Sequence, residues 1–285
     1  MIQIFSILII ALLMACACSM SGLFLVLRKR VLVGDAVSHS MLLGIILAFL
    51  VTQNLHSPLL IFGASIAVFL TLYGVEYLNR LKPGFPDAII ASVYPSFFAL
   101  AILIIYQTAN NVHLDQDVVL LGELAFAPFN TFTVRSLSLG PIAVWSGAFC
   151  VFLNILLVCL FHRQIRFAIF DPDAAQLAGF RLNYIFMFQS FVLCLTSVAA
   201  FDAVGVILVL ALMVLPVVSA KLLSISFWPL FYNSLLFAAV SVCFGIVFAF
   251  SFDLNIAASI VLVNGIIFFG LLGYQYLKKS LFRLY

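Results

Sequence analysis

The chain has 285 residues, of which 66% are hydrophobic and 8% are charged, and its formal net charge at pH 7 is +3. Soluble globular proteins carry about 25% charged residues, so this composition excludes that class. Nearly uncharged runs of about 20 residues recur along the whole chain and are apolar on every face. They indicate membrane-spanning helices and exclude an outer-membrane β-barrel.

Nine membrane-spanning helices are predicted, with ends accurate to about 2–4 residues. They cover residues 4–27, 32–52, 58–78, 88–108, 140–161, 183–201, 204–222, 230–251 and 254–276. The connections at 109–139 and 162–182 are long. The connection at 201–205 is either a helical hairpin or a break in one long element, so eight spans are the alternative. We expect an all-α polytopic membrane protein with one transmembrane permease domain over residues 1–285.

The positions of the Lys and Arg residues predict the orientation. Cytoplasmic loops of membrane proteins carry an excess of these residues. If the N-terminus lies outside, all but one of the 13 Lys and Arg residues fall on the inner side, and Arg135 is the exception. We therefore expect an external N-terminus and a cytoplasmic C-terminus. At the inner end of the third span, Glu76 and Arg80 are predicted to form an ion pair because they are four residues apart.

The second span carries two ionisable residues, Asp35 and His39, on one helix face. An ionised side chain inside a bilayer costs about 2.5–3.5 kcal/mol unless it is paired or hydrated. A carboxylate oxygen with an imidazole nitrogen suits zinc, manganese or iron, whereas calcium and magnesium prefer oxygen ligands. Two ligands bind an ion weakly enough for release, as a conduit requires. The alternative is an Asp–His hydrogen bond that packs this helix against a neighbour.

The predicted outer loop at 109–139 begins with polar residues and becomes apolar from Val118 to Ala127, before Pro128. A short interfacial or re-entrant helix is expected over the apolar part. Acidic residues of this loop could form a metal funnel or a docking surface at the outer mouth, although a solvated loop is the simpler interpretation. These acids are Asp115, Asp117 and Glu123.

The predicted inner loop at 162–182 contains DPDAAQLAG, residues 171–179, in which helix-capping residues occupy both ends. Asp171 is a good N-cap, and Pro172 suits the first helical position. Asp173 is favoured beside the positive end of the helix dipole, and Gly179 suits the position just after the helix. A two-turn helix is therefore predicted. It either docks on a partner protein, which we favour, or folds back on the bundle.

Motifs for nucleotide binding or hydrolysis do not accompany these features. The sequence contains neither G-x-x-x-x-G-K-[ST] nor H-E-x-x-H nor G-x-S-x-G. The chain is therefore not expected to bind a nucleotide through a P-loop or to be an enzyme. Nothing in the sequence indicates a nucleic-acid partner.

Three separated segments resemble the integral-membrane permeases of bacterial ABC-type zinc, manganese and iron importers. LRKRVLVGDAVSHSMLLG, residues 27–44, resembles the family's basic turn followed by a Gly-Asp-Ala-x-Ser-His helix. FDPDAAQLAGFRL, residues 170–182, resembles its cytoplasmic Asp-Pro-x-x-Ala-x-x-x-Gly segment. AVGVILVLALMVLPVVSAKLL, residues 203–223, resembles its late proline-containing helix. Two departures are Val217, where the family usually has a small residue, and the acid Glu123 near the outer mouth.

The resemblance implies a type II ABC importer-like permease that forms a homodimer in the bacterial inner membrane. It also implies two separate cytoplasmic ATPase subunits and an extracytoplasmic metal-binding protein as partners. Metal contact is implied at Asp35 and His39. ATPase contact is implied at Asp171, Pro172, Asp173, Ala174, Ala175, Leu177, Ala178 and Gly179.

The expected function is the permease subunit of an ATP-driven importer of zinc, manganese or iron, with no permanently bound cofactor. The alternative is a proton-coupled secondary carrier in which Asp35 and His39 relay protons. Such a carrier would not need the capped inner helix, and the sequence gives no convincing inverted repeat.

Overall fold

Nine long helices make up most of the computed structural model, which describes residues 2–53, 59–81, 84–108, 124–134, 137–170, 174, 177–180 and 182–282. Within these ranges nine helices are long and apolar enough to cross a membrane, as the sequence predicts. Their bounds are α1 Ile2–Leu27, α2 Leu32–Thr52, α3 Leu59–Leu81, α4 Pro86–Thr108, α5 Ile142–Phe170, α6 Leu182–Val204, α7 Val206–Leu223, α8 Phe227–Phe252 and α9 Ile256–Phe282.

A single residue, Gly205, separates α6 from α7. Its backbone has a φ of 84° and a ψ of 159°, a conformation that is readily available only to glycine. The chain therefore leaves one helix after Val204 and starts another at Val206. The alternative of eight spans is wrong because both helices are long enough to count as spans.

Helix α5 is longer than the sequence predicts. The predicted span ends at residue 161, whereas α5 continues to Phe170. The predicted inner loop at 162–182 is therefore too long at its start, and the connection between α5 and α6 covers only residues 171–181. Arg163 and Arg166 lie in the extension, where arginine is a good helix former. The Asp-Pro sequence that follows disfavours further helix.

A short antiparallel hairpin precedes α5 and is not anticipated by the sequence analysis. Its strands are β1, Thr131–Val134, and β2, Leu137–Pro141. A turn of 3-10 helix, Ala127–Phe129, comes before it. The helix expected over residues 118–127 lies mostly outside the described residues, and 124–126 form a turn instead. β-branched and aromatic residues in β1 favour the extended backbone.

The helices form two groups with different packing partners. Helix α1 packs against α5, α6, α7 and α8, and its side chains Ile10, Met14 and Leu23 are almost completely buried. Helix α2 packs mainly against α3 and α4. Contacts between α3 and α6 join the two groups. Helix α1 is therefore the centre of one group, and α2 is the centre of the other.

Helices α2 and α3 approach each other through glycine. A Cβ atom placed on Gly63 of α3 would lie 2.5 Å from the carbonyl oxygen of Gly44 and 2.7 Å from the Cβ of Ala48. Both distances are shorter than van der Waals contact, so only glycine fits. Small residues at such crossings let helix backbones pack closely in a membrane.

A buried hydrogen-bond network joins α1, α5 and α6. The Ser21 hydroxyl donates to Asn154 Oδ1 at 2.8 Å, and Asn154 Nδ2 donates to the Thr196 hydroxyl at 2.9 Å. Asn154 Nδ2 also reaches the carbonyl oxygen of Cys150 at 2.9 Å. Each polar group of Asn154 thus has a partner, which removes the cost of burying an amide.

The turn between α1 and α2 is fixed by a cluster of charges. Glu76 of α3 pairs with Arg28 at 3.5 Å and with Arg30 at 2.5 Å, instead of forming the predicted pair with Arg80. The Arg28 guanidinium also lies 3.8 Å from the ring centroid of Phe186 on α6. Burial and the neighbouring Arg30 lower the pKa of Arg28 to about 10 against the opposing effect of Glu76, so Arg28 is protonated at neutral pH.

The glycine contact gives a prediction with a matched control on the same helix. Gly63→Ala should lower the free energy of unfolding by about 1–3 kcal/mol, since the new methyl group overlaps α2. Gly74→Ala should cause no loss and can stabilise α3 by up to about 1 kcal/mol, because nothing lies within 4 Å of a Cβ there. Thermal unfolding of the purified chain in detergent measures both. Equal melting temperatures for the two variants would contradict the close approach.

Candidate metal site

Asp35 and His39 lie together on α2, as their spacing predicts. The His39 Nε2 atom is 3.5 Å from Asp35 Oδ1. This separation exceeds the usual N–H···O hydrogen-bond distance of about 2.7–3.2 Å. It is also close to the separation of two donor atoms that bind the same ion. Two donors at about 2.1 Å from one ion are about 3.0–3.4 Å apart for octahedral to tetrahedral angles.

Neither side chain of the pair is fully enclosed. The side chain of Asp35 is 41% exposed and that of His39 is 34% exposed in the single chain. No group of three or more His, Cys, Asp or Glu residues suited to a metal occurs among the residues that the structure describes. Among the described residues, Asp35 and His39 are therefore the pair that could hold an ion, and they would leave other coordination positions for water or a partner.

The other polar groups around the pair decide which atoms are available. The Ser38 hydroxyl donates its proton to the backbone oxygen of Asp35 at 2.7 Å. Within the described part of the chain, the buried Nδ1 of His39 has no hydrogen-bond partner. The Asp35 carboxylate and the His39 imidazole both keep atoms that are available to a cation.

Two aromatic residues of α4 surround the imidazole, and neither is among the site residues predicted from the sequence. The ring of Tyr94 stacks on His39 with centroids 5.5 Å apart and planes 15° apart. The ring of Phe98 meets His39 edge-on, with centroids 5.0 Å apart. The four-residue spacing of the two aromatic residues is a signal, but such aromatic pairs are common in helix packing.

The other predicted site residues are only partly described. Asp115, Asp117 and Glu123 lie outside the described residues, and so do Asp171, Pro172, Asp173 and Ala175. In the described part of the inner segment, the Ala178 N–H donates to the Ala174 oxygen at 2.9 Å, as in a helical turn. Gly179 follows with a φ of 78°, the left-handed conformation expected after a helix. The Leu177 side chain is 90% exposed.

Comparisons with known sequences agree with the motifs. The profile of the ABC 3 transport family matches residues 2–275. The manganese transport system membrane protein MntD of Bacillus subtilis is 36% identical over 250 residues, which are 88% of this chain and 84% of MntD. The zinc transport system membrane protein TroD of Treponema pallidum is 34% identical over 260 residues, which are 91% of this chain and 71% of TroD.

Solved structures give the same fold. PsaBC from Streptococcus pneumoniae in complex with Fab superposes with a TM-score of 0.73 at 25% identity, over 93% of this chain and 89% of that chain. An inward-facing transporter described as a metal-chelate type ABC transporter has a TM-score of 0.68 at 17% identity, over 95% of this chain and 85% of the other. The second likeness concerns the fold alone.

The family match spans nearly the whole chain and agrees with the nine apolar helices. The resemblance seen in the three sequence motifs is thereby confirmed. The chain belongs to the ABC 3 transport family and is a multi-pass protein of the bacterial inner membrane.

Proposed function

We propose that this chain is the membrane-spanning permease subunit of an ATP-driven importer of manganese or zinc. In this proposal the ion passes Asp35 and His39, and the whole chain is one permease domain. The observation that supports the site most directly is the half-exposed carboxylate and imidazole, 3.5 Å apart on an apolar helix. Such a pair is costly in a bilayer unless water or a cation accompanies it.

The choice of metal follows from the ligands and the relatives. An oxygen and a nitrogen donor suit borderline divalent ions. MntD is named for manganese and TroD for zinc. Neither relative is named for iron, so we restrict the wider sequence expectation to manganese and zinc.

A second copy of the chain would complete the coordination. Two ligands per chain leave an incomplete shell, and the exposed sides of Asp35 and His39 are open to a neighbour. A dimer that brings two such pairs together would offer four protein ligands, with two carboxylate oxygens and two imidazole nitrogens. Rearrangement of the dimer would then release the ion, since each chain alone binds it weakly.

Energy would come from separate ATPase subunits at the cytoplasmic side, because the sequence has no P-loop motif. We assign their contact to the segment 171–179, where the apolar side chain of Leu177 is 90% exposed. With the N-terminus outside, the loop that contains Asp115, Asp117 and Glu123 would face an extracytoplasmic metal-binding protein.

Substitution of the two ligands tests the site. Asp35→Asn and His39→Gln should each lower the rate of manganese or zinc uptake at subsaturating metal on the order of 10-fold or more, since a ligand is lost. Asp87→Asn is the matched control, because Asp87 is an exposed carboxylate in the first turn of α4. Uptake is measured with radioactive metal in cells that express the complete transporter. Normal uptake in both ligand variants would contradict the site.

The same assay separates an ATP-driven importer from a proton-coupled carrier. Uptake should stop when the nucleotide-hydrolysing partner is removed, and collapse of the proton gradient at constant ATP should leave it unchanged. The opposite pattern would favour a proton relay through Asp35 and His39.

Substitution of Leu177 tests the ATPase contact. Leu177→Asp should reduce copurification of the ATPase with the permease, because it places a charge in an apolar contact. Metal binding to the isolated permease should be unchanged, since Leu177 is not a ligand. Ile225→Asp is the control, because Ile225 is 91% exposed between α7 and α8 and lies outside the segment 171–179. Equal copurification for the Leu177 variant and the unmodified chain would contradict the assignment.

A further inference from the structure

Tyr94 contacts the proposed metal ligand His39 from a different helix. Its ring stacks on the His39 imidazole with centroids 5.5 Å apart and planes 15° apart. We propose that Tyr94 is a positioning residue that fixes the orientation of the His39 imidazole toward the ion. This inference rests on the proposed function, because it assumes that Asp35 and His39 bind the transported metal.

The ring of Tyr94 restricts a torsion that is otherwise soft. The terminal torsions of His and Asp side chains are broad, and neither has a steep staggered minimum. Stacking by Tyr94 on the ring face and edge contact by Phe98, with centroids 5.0 Å apart, leave one favoured plane for the imidazole. In that plane Nε2 faces Asp35, so the two donor atoms stay close enough to share an ion.

The position of Tyr94 on α4 gives this contact a mechanical consequence. Pro95 follows Tyr94 inside the helix, and a proline removes one backbone hydrogen bond and bends a helix at that point. A change in the bend of α4 moves the Tyr94 ring relative to α2. Loss of the stack would release His39 from its fixed plane and weaken the ion site.

Manganese binding to the purified full-length chain in lipid nanodiscs tests the role of Tyr94. Tyr94→Leu should raise the Kd for Mn²⁺ about 10-fold or more, as loss of a group that orients a ligand does in other metal sites. Its electron paramagnetic resonance spectrum should lose the nitrogen coupling of the imidazole. Tyr94→Phe keeps the ring that stacks on His39, so it should retain the nitrogen coupling and bind Mn²⁺ like the unmodified chain.

Tyr106→Phe is the matched control, because Tyr106 lies on the same helix and is 84% exposed. It should bind manganese like the unmodified chain. If Tyr94→Leu does not fold, Tyr94→Met takes its place, since it also lacks the flat ring. An unchanged Kd and an unchanged spectrum for Tyr94→Leu, or for Tyr94→Met when the leucine variant is unfolded, would overturn the positioning role.

Failure of the proposed function gives a different result. If Asp35→Asn and His39→Gln bind manganese as well as the unmodified chain, the metal site itself is wrong, and the positioning role falls with it. If these two variants lose binding while the Tyr94 variants keep the normal Kd and spectrum, only the role of Tyr94 is overturned.

Discussion

The arrangement of α2, α3 and α4 depends on the cost of placing a carboxylate inside an apolar bundle. Asp35 lies 3.5 Å from His39 on the same helix, and Tyr94 of α4 stacks on that imidazole. Helix α4 therefore lies against the face of α2 that carries the pair. Gly44 is nine residues from Asp35, about two and a half helical turns, so the close contact with α3 occupies the opposite face. The packing contact with α3 and the Asp35–His39 pair thus lie on different faces of α2.

Charged and aromatic contacts also fix the position of the start of α2. Arg28 and Arg30 pair with Glu76 of α3, and Arg28 also lies over Phe186 of α6. These contacts connect the turn between α1 and α2 to both groups of helices. Asp35 follows less than two turns into α2, so the ion pairs fix the place at which the proposed site begins. The basic residues that set the predicted orientation therefore also have a structural role.

Much of this could be predicted from the sequence, because the signals are local. The nine spans follow from run length, the face shared by Asp35 and His39 follows from helical spacing, and the backbone of Gly179 follows from its place after a capped segment. The partner of Glu76 could not be predicted. Arg80 is near Glu76 in sequence, but the turn between α1 and α2 brings Arg28 and Arg30 into contact with Glu76. Tyr94 was missed for the same reason, since only tertiary packing brings α4 to α2.

The errors at element boundaries have a related cause. Arg163 and Arg166 mark the end of the apolar run but not the end of α5, because a helix can continue into water beyond a membrane. The hairpin at 131–141 is short and has few residues per strand, so its pattern is too brief to distinguish it from a loop.

The crossing of Gly44 and Gly63 has a consequence for motion. At that point backbone meets backbone, and no side chain is available to change rotamer and let one helix slide past the other. This contact favours movement of α2 and α3 as one unit. In the proposed importer, a change between outward and inward access would then come from rotation of this unit against the α1 group, or from displacement of α4.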